Sequence, residues 1–119
     1  MLKIVNDMGL DLIFTDMDRS GIYYAEEKTI FLSDRLLEKN SDFEISHELG
    51  HCIKKHEELS DYYNATDYGR RKLEFEANRI AIEILLYIWA NEYDFEKERL
   101  NAVKFMEYYN IPWTLEGYV

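Results

Sequence analysis

The chain reads as an α+β fold, a small antiparallel sheet in the first third packed on helices that make up the rest. Three observations predict it. Short β-forming runs fill residues 10–33, and from Ser41 the apolar period changes from two to about 3.6. All three histidines then fall on or beside the helical stretches.

Taken in order, residues 2–8 form a short helix closed by Gly9, since glycine tolerates the left-handed conformation after a helix end. L-D-L-I-F-T (10–15) alternates in part between apolar and polar, as a half-buried strand does. G-I-Y-Y-A (21–25) and T-I-F-L-S (29–33), separated by the charged turn E-E-K, read as a hairpin. S-D-F-E (41–44) has the form of a capping box, with Ser41 accepting from the backbone of residue 44 and Glu44 reaching back. The helix it starts runs to about residue 55, and a second, the most strongly periodic stretch, covers 68–91. A third begins near Asp94, a good N-cap, and ends at about residue 109, before Ile111-Pro112.

Length and composition predict one domain over residues 1–119. Apolar residues make up 47% and aromatic residues 15%, which suits a folded globule; one proline and five glycines leave no visible linker. The longest apolar run, 80–90, is broken by Glu83 and falls short of a membrane span. The N-terminus lacks the apolar core of a secretory signal, and a single cysteine, Cys52, fits a reducing compartment. The expectation is a cytoplasmic protein with no membrane role. A formal charge of −10 opposes a phosphate backbone and argues against direct nucleic-acid binding. It serves solubility first, and secondarily can steer a basic protein partner.

The chemistry centres on H-E-L-G-H (47–51). On a helix, His47 and His51 lie about 40° apart on one face, so two imidazoles can reach one ion. Glu48 lies about 100° round from His47, placed to border that ion and work as a general base on a water beside it. Ile45, Leu49, Cys52 and Ile53 form the opposite, core-facing stripe, which makes Cys52 a packing residue and not a ligand. Gly50 disfavours a helix by about 1 kcal/mol relative to alanine, a cost easier to understand if something must approach the backbone there. His56 reads as an ordinary cation near the helix C-terminus. HExxH also occurs by chance on helices, so the motif alone does not make a site.

A catalytic zinc site takes three protein ligands, and no histidine remains to form a second pair. The third ligand is then a carboxylate. E-F-E-A-N (74–78) offers two: Glu74 shares a face with Ala77, Asn78, Ala81, Leu85 and Ile88, whereas Glu76 lies about 200° away among Arg79, Glu83 and Tyr87 on a solvated face. A buried carboxylate must be paired or bind a metal, which favours Glu74. A helix-start carboxylate near the positive dipole end is the plainer alternative, but it would serve equally well from the outer face. Asn78, one turn on, can orient His47 or His51 through the free ring nitrogen.

H-E-L-G-H followed by E-F-E-A-N-R-I-A-I-E-I-L-L resembles the ImmA/IrrE family of metallopeptidases, and G-I-Y-Y-A-E-E-K-T-I-F-L-S resembles the family's strand–turn–strand. The resemblance covers roughly residues 10–90. It implies a zincin-like domain in which Zn2+ is held by His47, His51 and Glu74, with Glu48 as general acid/base. It also implies an endopeptidase acting on a protein substrate, a repressor or other helix-turn-helix regulator of a phage or mobile element. Two departures stand out. L-L-Y-I (85–88) replaces the family's L-L-M-P, and the chain is near the family's short end, with no DNA-binding or sensor domain expected in it. Regulatory input is then expected from a partner or from expression level.

The runner-up function is a non-proteolytic, zinc-stabilised binding protein that sequesters a transcription regulator. A metal-free structural domain would bury Glu74 without a cation, which its charge opposes. Tyr62, Tyr63 and Tyr68 are candidate oxyanion donors, and the segment 57–68 a candidate substrate-selecting rim.

Overall fold

The computed structural model describes residues 1–56, 66–92 and 102–118. Helix α1 (Leu2–Asp7) leads into strands β1 (Asp11–Thr15), β2 (Gly21–Tyr24) and β3 (Thr29–Ser33). Helices α2 (Asp42–Ile53), α3 (Asp67–Glu92) and α4 (Ala102–Tyr109) follow, and a 3-10 segment (Trp113–Tyr118) comes last. The α+β class and the order of elements agree with the sequence. Gly9 closes α1 at φ +71°, where an L side chain would be strained. The predicted start of the last helix near Asp94 lies outside the described residues.

The sheet is mixed, which corrects the all-antiparallel expectation. β2 and β3 do form the antiparallel hairpin, but β1 pairs in parallel with β3, in the order β1-β3-β2. The cause is burial. β3 is buried at four of its five residues and takes the centre, while β1 and β2 expose alternate residues and take the edges. The chain therefore leaves β1, crosses over the end of β3 and descends as β2. Ser33 N donates to Ser20 O (2.9 Å) and Arg35 Nη2 donates to Asp18 O (2.8 Å), fixing that crossing.

Helix α2 sits between two apolar clusters. Ile45 and Leu49 join Val5, Ile30, Leu32 and Leu36 against the sheet. Phe43 joins Ala81, Leu85, Phe105, Met106 and Tyr109 between α3 and α4. Cys52 packs partly buried against the sheet cluster, as its place on the helix predicts, whereas Ile53 is 46% exposed and does not extend the stripe.

The predicted capping box is absent. Ser41 stands at the N-cap without a side-chain cap bond, and Asn40 Oδ1 instead accepts from Asp42 N at 3.0 Å. Asn40 Nδ2 also donates to Tyr108 O at 3.0 Å, so the same residue ties the start of α2 to the end of α4. A serine cannot reach both groups; the longer amide can. Among the described residues, no helix is long and apolar enough to cross a membrane.

Candidate metal centre

With two faces of α2 taken by core packing, His47, Glu48 and His51 occupy the strip between them, against α3. α3 crosses α2 closely because Gly50 has no side chain: a Cβ there would stand 2.7 Å from Ala77 O and 2.9 Å from Ala77 Cα. What approaches the backbone at Gly50 is thus the backbone of α3. Ala77 stands between Glu74 and Asn78 in the chain, so the close crossing brings both onto the histidines.

His47 Nε2 lies 2.9 Å from Glu74 Oε2, and His51 Nε2 lies 3.2 Å from Glu74 Oε1. The two Nε2 atoms are 3.2 Å apart. Donor atoms of His47, Glu48 and His51 all fall within 4.8 Å of one another, a group able to hold a metal ion. Asn78 Oδ1 is 2.7 Å from His47 Nδ1. With the amide oxygen facing the ring, Nδ1 carries the proton and donates, so a neutral His47 turns its Nε2 lone pair toward Glu74.

These donors fit a cation. Ligands at about 2.0–2.1 Å around a tetrahedral ion stand about 3.3 Å from one another, and the three separations here run from 2.9 to 3.2 Å. Two imidazole lone pairs and a carboxylate facing one another need a positive charge among them, a proton or a metal.

The electrostatics follow the same geometry. Burial opposes charge on Glu74, yet the facing His47 and His51 rings, which hydrogen-bond to it when their Nε2 atoms carry a proton, outweigh it and hold the carboxyl well below the usual range. Burial likewise opposes charge on His47, but the Glu74 hydrogen bond and the charges of Glu48 and Glu74 raise its pKa above the ordinary value. Glu48 is 6% exposed, and burial pushes its carboxyl upward against the nearby histidines and Arg19. A carboxylate so raised is suited to taking up and releasing a proton. A cavity of about 370 Å³ opens over this group, with Arg19 and Ser20 on the sheet side and Asn110 and Pro112 on the other.

The sequence placed His47, Glu48, His51, Glu74 and Asn78 together, and the structure brings all five together. At two residues the structure departs from the sequence expectation. His56 is not an ordinary cation at the helix end: it is 5% exposed, with its Nδ1 2.8 Å from His51 Nδ1 and its Nε2 2.9 Å from Glu76 Oε2. Glu76 is accordingly not merely solvated, and the His56 hydrogen bond lowers its pKa. Helix α2 ends at Ile53, and Lys55 adopts φ +55°, which folds the chain back and lays His56 over His51. Such a turn is usually marked by glycine, and K-K-H carries no such signal. A third histidine five residues after the motif was the available hint. Tyr68 is 65% exposed; Tyr62, Tyr63 and most of the 57–68 rim lie outside the described residues.

The model of the IrrE N-terminal-like domain (Peptidase_M78) matches residues 5–113. No curated protein and no solved structure matches the chain. A match over nearly the whole length, on a helix pair that carries the motif residues in one group, means that the chain belongs to the ImmA/IrrE family of metallopeptidases.

Proposed function

We propose that this protein is a zinc-dependent endopeptidase, with His47, His51 and Glu74 as the metal ligands and Glu48 as the general acid/base. The observation that carries the reading is the convergence of two Nε2 atoms and one carboxylate at 2.9–3.2 Å beside a buried glutamate, under an open cleft. Zinc, when bound, supplies a Lewis acid that polarises a peptide carbonyl and makes water more acidic. The protein's own groups do the rest. Glu48 accepts the proton of the attacking water and returns it to the departing amine, and burial, by raising its pKa, makes it a stronger base than an exposed carboxylate. Asn78 fixes the ring of His47 through Nδ1, leaving Nε2 directed at the site. Arg19 borders the cleft as a cation able to face developing negative charge or a substrate carboxylate.

For the substrate we carry forward a protein, a helix-turn-helix repressor or related regulator of a phage or mobile element, on the strength of the family resemblance. The charge of −10 suits approach to a basic DNA-binding protein. The deciding experiment incubates wild type and Glu48→Gln with zinc and the co-encoded regulator, and detects fragments by mass spectrometry. The variant should hold zinc equally and cut about 10²–10⁴-fold more slowly. Equal cutting by the variant removes Glu48 from the chemistry. A wild type that binds the regulator without cutting it replaces the peptidase with a sequestering protein.

A further inference from the structure

We infer that a buried His56, hydrogen-bonded to a part-exposed Glu76, sets the tautomer and the aim of His51, making both of them positioning residues for the metal centre. The inference rests on the ligand set proposed above.

It follows from which atoms can donate. Glu76 Oε2 is an acceptor, so the His56 Nε2 that faces it at 2.9 Å must carry the proton. A neutral His56 then has a lone pair on Nδ1. That lone pair faces His51 Nδ1 at 2.8 Å, and this contact is a hydrogen bond only if His51 Nδ1 donates. A neutral His51 is left with its lone pair on Nε2, the atom 3.2 Å from both His47 Nε2 and Glu74 Oε1. The line from carboxylate to ring to ring thus delivers His51 with the nitrogen a metal requires already bare. Asn78 does the same for His47 in a single step.

Packing makes the arrangement directional. The His51 and His56 rings meet edge to face, with centroids 5.0 Å apart at 68°. The left-handed Lys55 holds His56 against its partner, and the His56 side chain is only 4% exposed, so water does not compete for its nitrogens. A histidine serving only to fill space would have no need of a carboxylate at Nε2. Both residues sit outside the HExxH motif, and one comes from the helix that supplies Glu74.

The test combines zinc affinity, measured by competition with a chromophoric chelator, with long-range ¹H–¹⁵N spectra that read histidine tautomers directly. Wild type should show His56 protonated at Nε2 with or without zinc, and zinc-loaded His51 protonated at Nδ1. Glu76→Ala and His56→Phe should each weaken zinc about 10–100-fold, the range for loss of a group orienting a ligand. Glu76→Gln keeps an acceptor and should recover much of the affinity that Glu76→Ala loses. Zinc binding by wild type with unchanged affinity in both Glu76→Ala and His56→Phe would overturn the inference and leave the peptidase reading intact. So would a wild-type His56 protonated at Nδ1, a result that needs no metal. A wild type that fails to bind zinc would instead remove the ligand set, and this inference with it.

Discussion

Replacing Gly50 by alanine adds one carbon where α2 and α3 cross, and the structure sets the size of the effect. The new Cβ would stand 2.7 Å from Ala77 O, 2.9 Å from Ala77 Cα and 3.2 Å from Ala77 C. All three are backbone atoms, so no side chain can swing aside. Ordinary contact begins near 3.4 Å, and the helices must part by about 0.7 Å at the crossing. Alanine gains up to about 1 kcal/mol in helix propensity. Overpacking costs about 1–3 kcal/mol, and a backbone clash belongs at the upper end. The net loss is about 1–2 kcal/mol, which for a chain of this size lowers Tm by about 4–8 °C. The larger effect falls on the site. Glu74 and Asn78 flank Ala77, and a shift of about 0.7 Å exceeds the roughly 0.2 Å over which ligand distances can vary. Zinc affinity should fall about 10-fold or more. Thermal unfolding followed by circular dichroism, with chelator competition for zinc, measures both. Adding Ala77→Gly should not rescue the variant, because the clash does not involve the Ala77 side chain. A Gly50→Ala protein that melts at or above wild type and keeps its zinc affinity would refute the close-crossing argument.

Two further outcomes follow from the same geometry. Asn78→Ala should weaken zinc about 10–100-fold with little change in Tm, since it frees the His47 ring without opening the core; strong zinc binding with a lowered Tm would make Asn78 a packing residue. Zinc affinity should fall as pH drops through the raised pKa of His47, because the metal must displace the proton the ring holds below that point. Titration calorimetry at mildly acidic pH should then show binding heats that vary with buffer ionisation enthalpy, and heats independent of buffer would contradict it. In the metal-free protein the sign runs both ways. The raised His47 pKa contributes stability at low pH that is lost as pH rises through it, and the lowered Glu74 pKa contributes stability that acid removes.

Five of the residues at the site were legible in the sequence because each lies on a regular helix, where angle alone decides the neighbours. His47, Glu48 and His51 follow from the period of α2, and Glu74 and Asn78 from the period of α3. Legibility failed wherever the chain left a regular element. The parallel pairing of β1 depends on which strand is buried at four of its five positions, a fact about the whole sheet and not about residues 10–15. The cap on α2 passed to Asn40 because the end of α4 also needed a donor, an interaction across 68 residues. His56 lies past a left-handed lysine, and a helix wheel extended through Lys55 puts it on the wrong side.

That pattern bears on how the two histidines are held. Each needs a partner at Nδ1 to leave Nε2 bare, and α3 provides both anchors from positions two residues apart, Asn78 and Glu76. Two residues along a helix cannot face the same way, so the anchors diverge by about 200°. Asn78 reaches His47 directly, while Glu76 points off the common face and needs an intermediary to reach His51. The reversal at Lys55 supplies one by returning His56 to the gap. The left-handed residue is therefore tied to the divergence of the two anchors. A longer α2 continuing straight through residue 56 would leave Glu76 without its ring and His51 without the acceptor for its Nδ1–H.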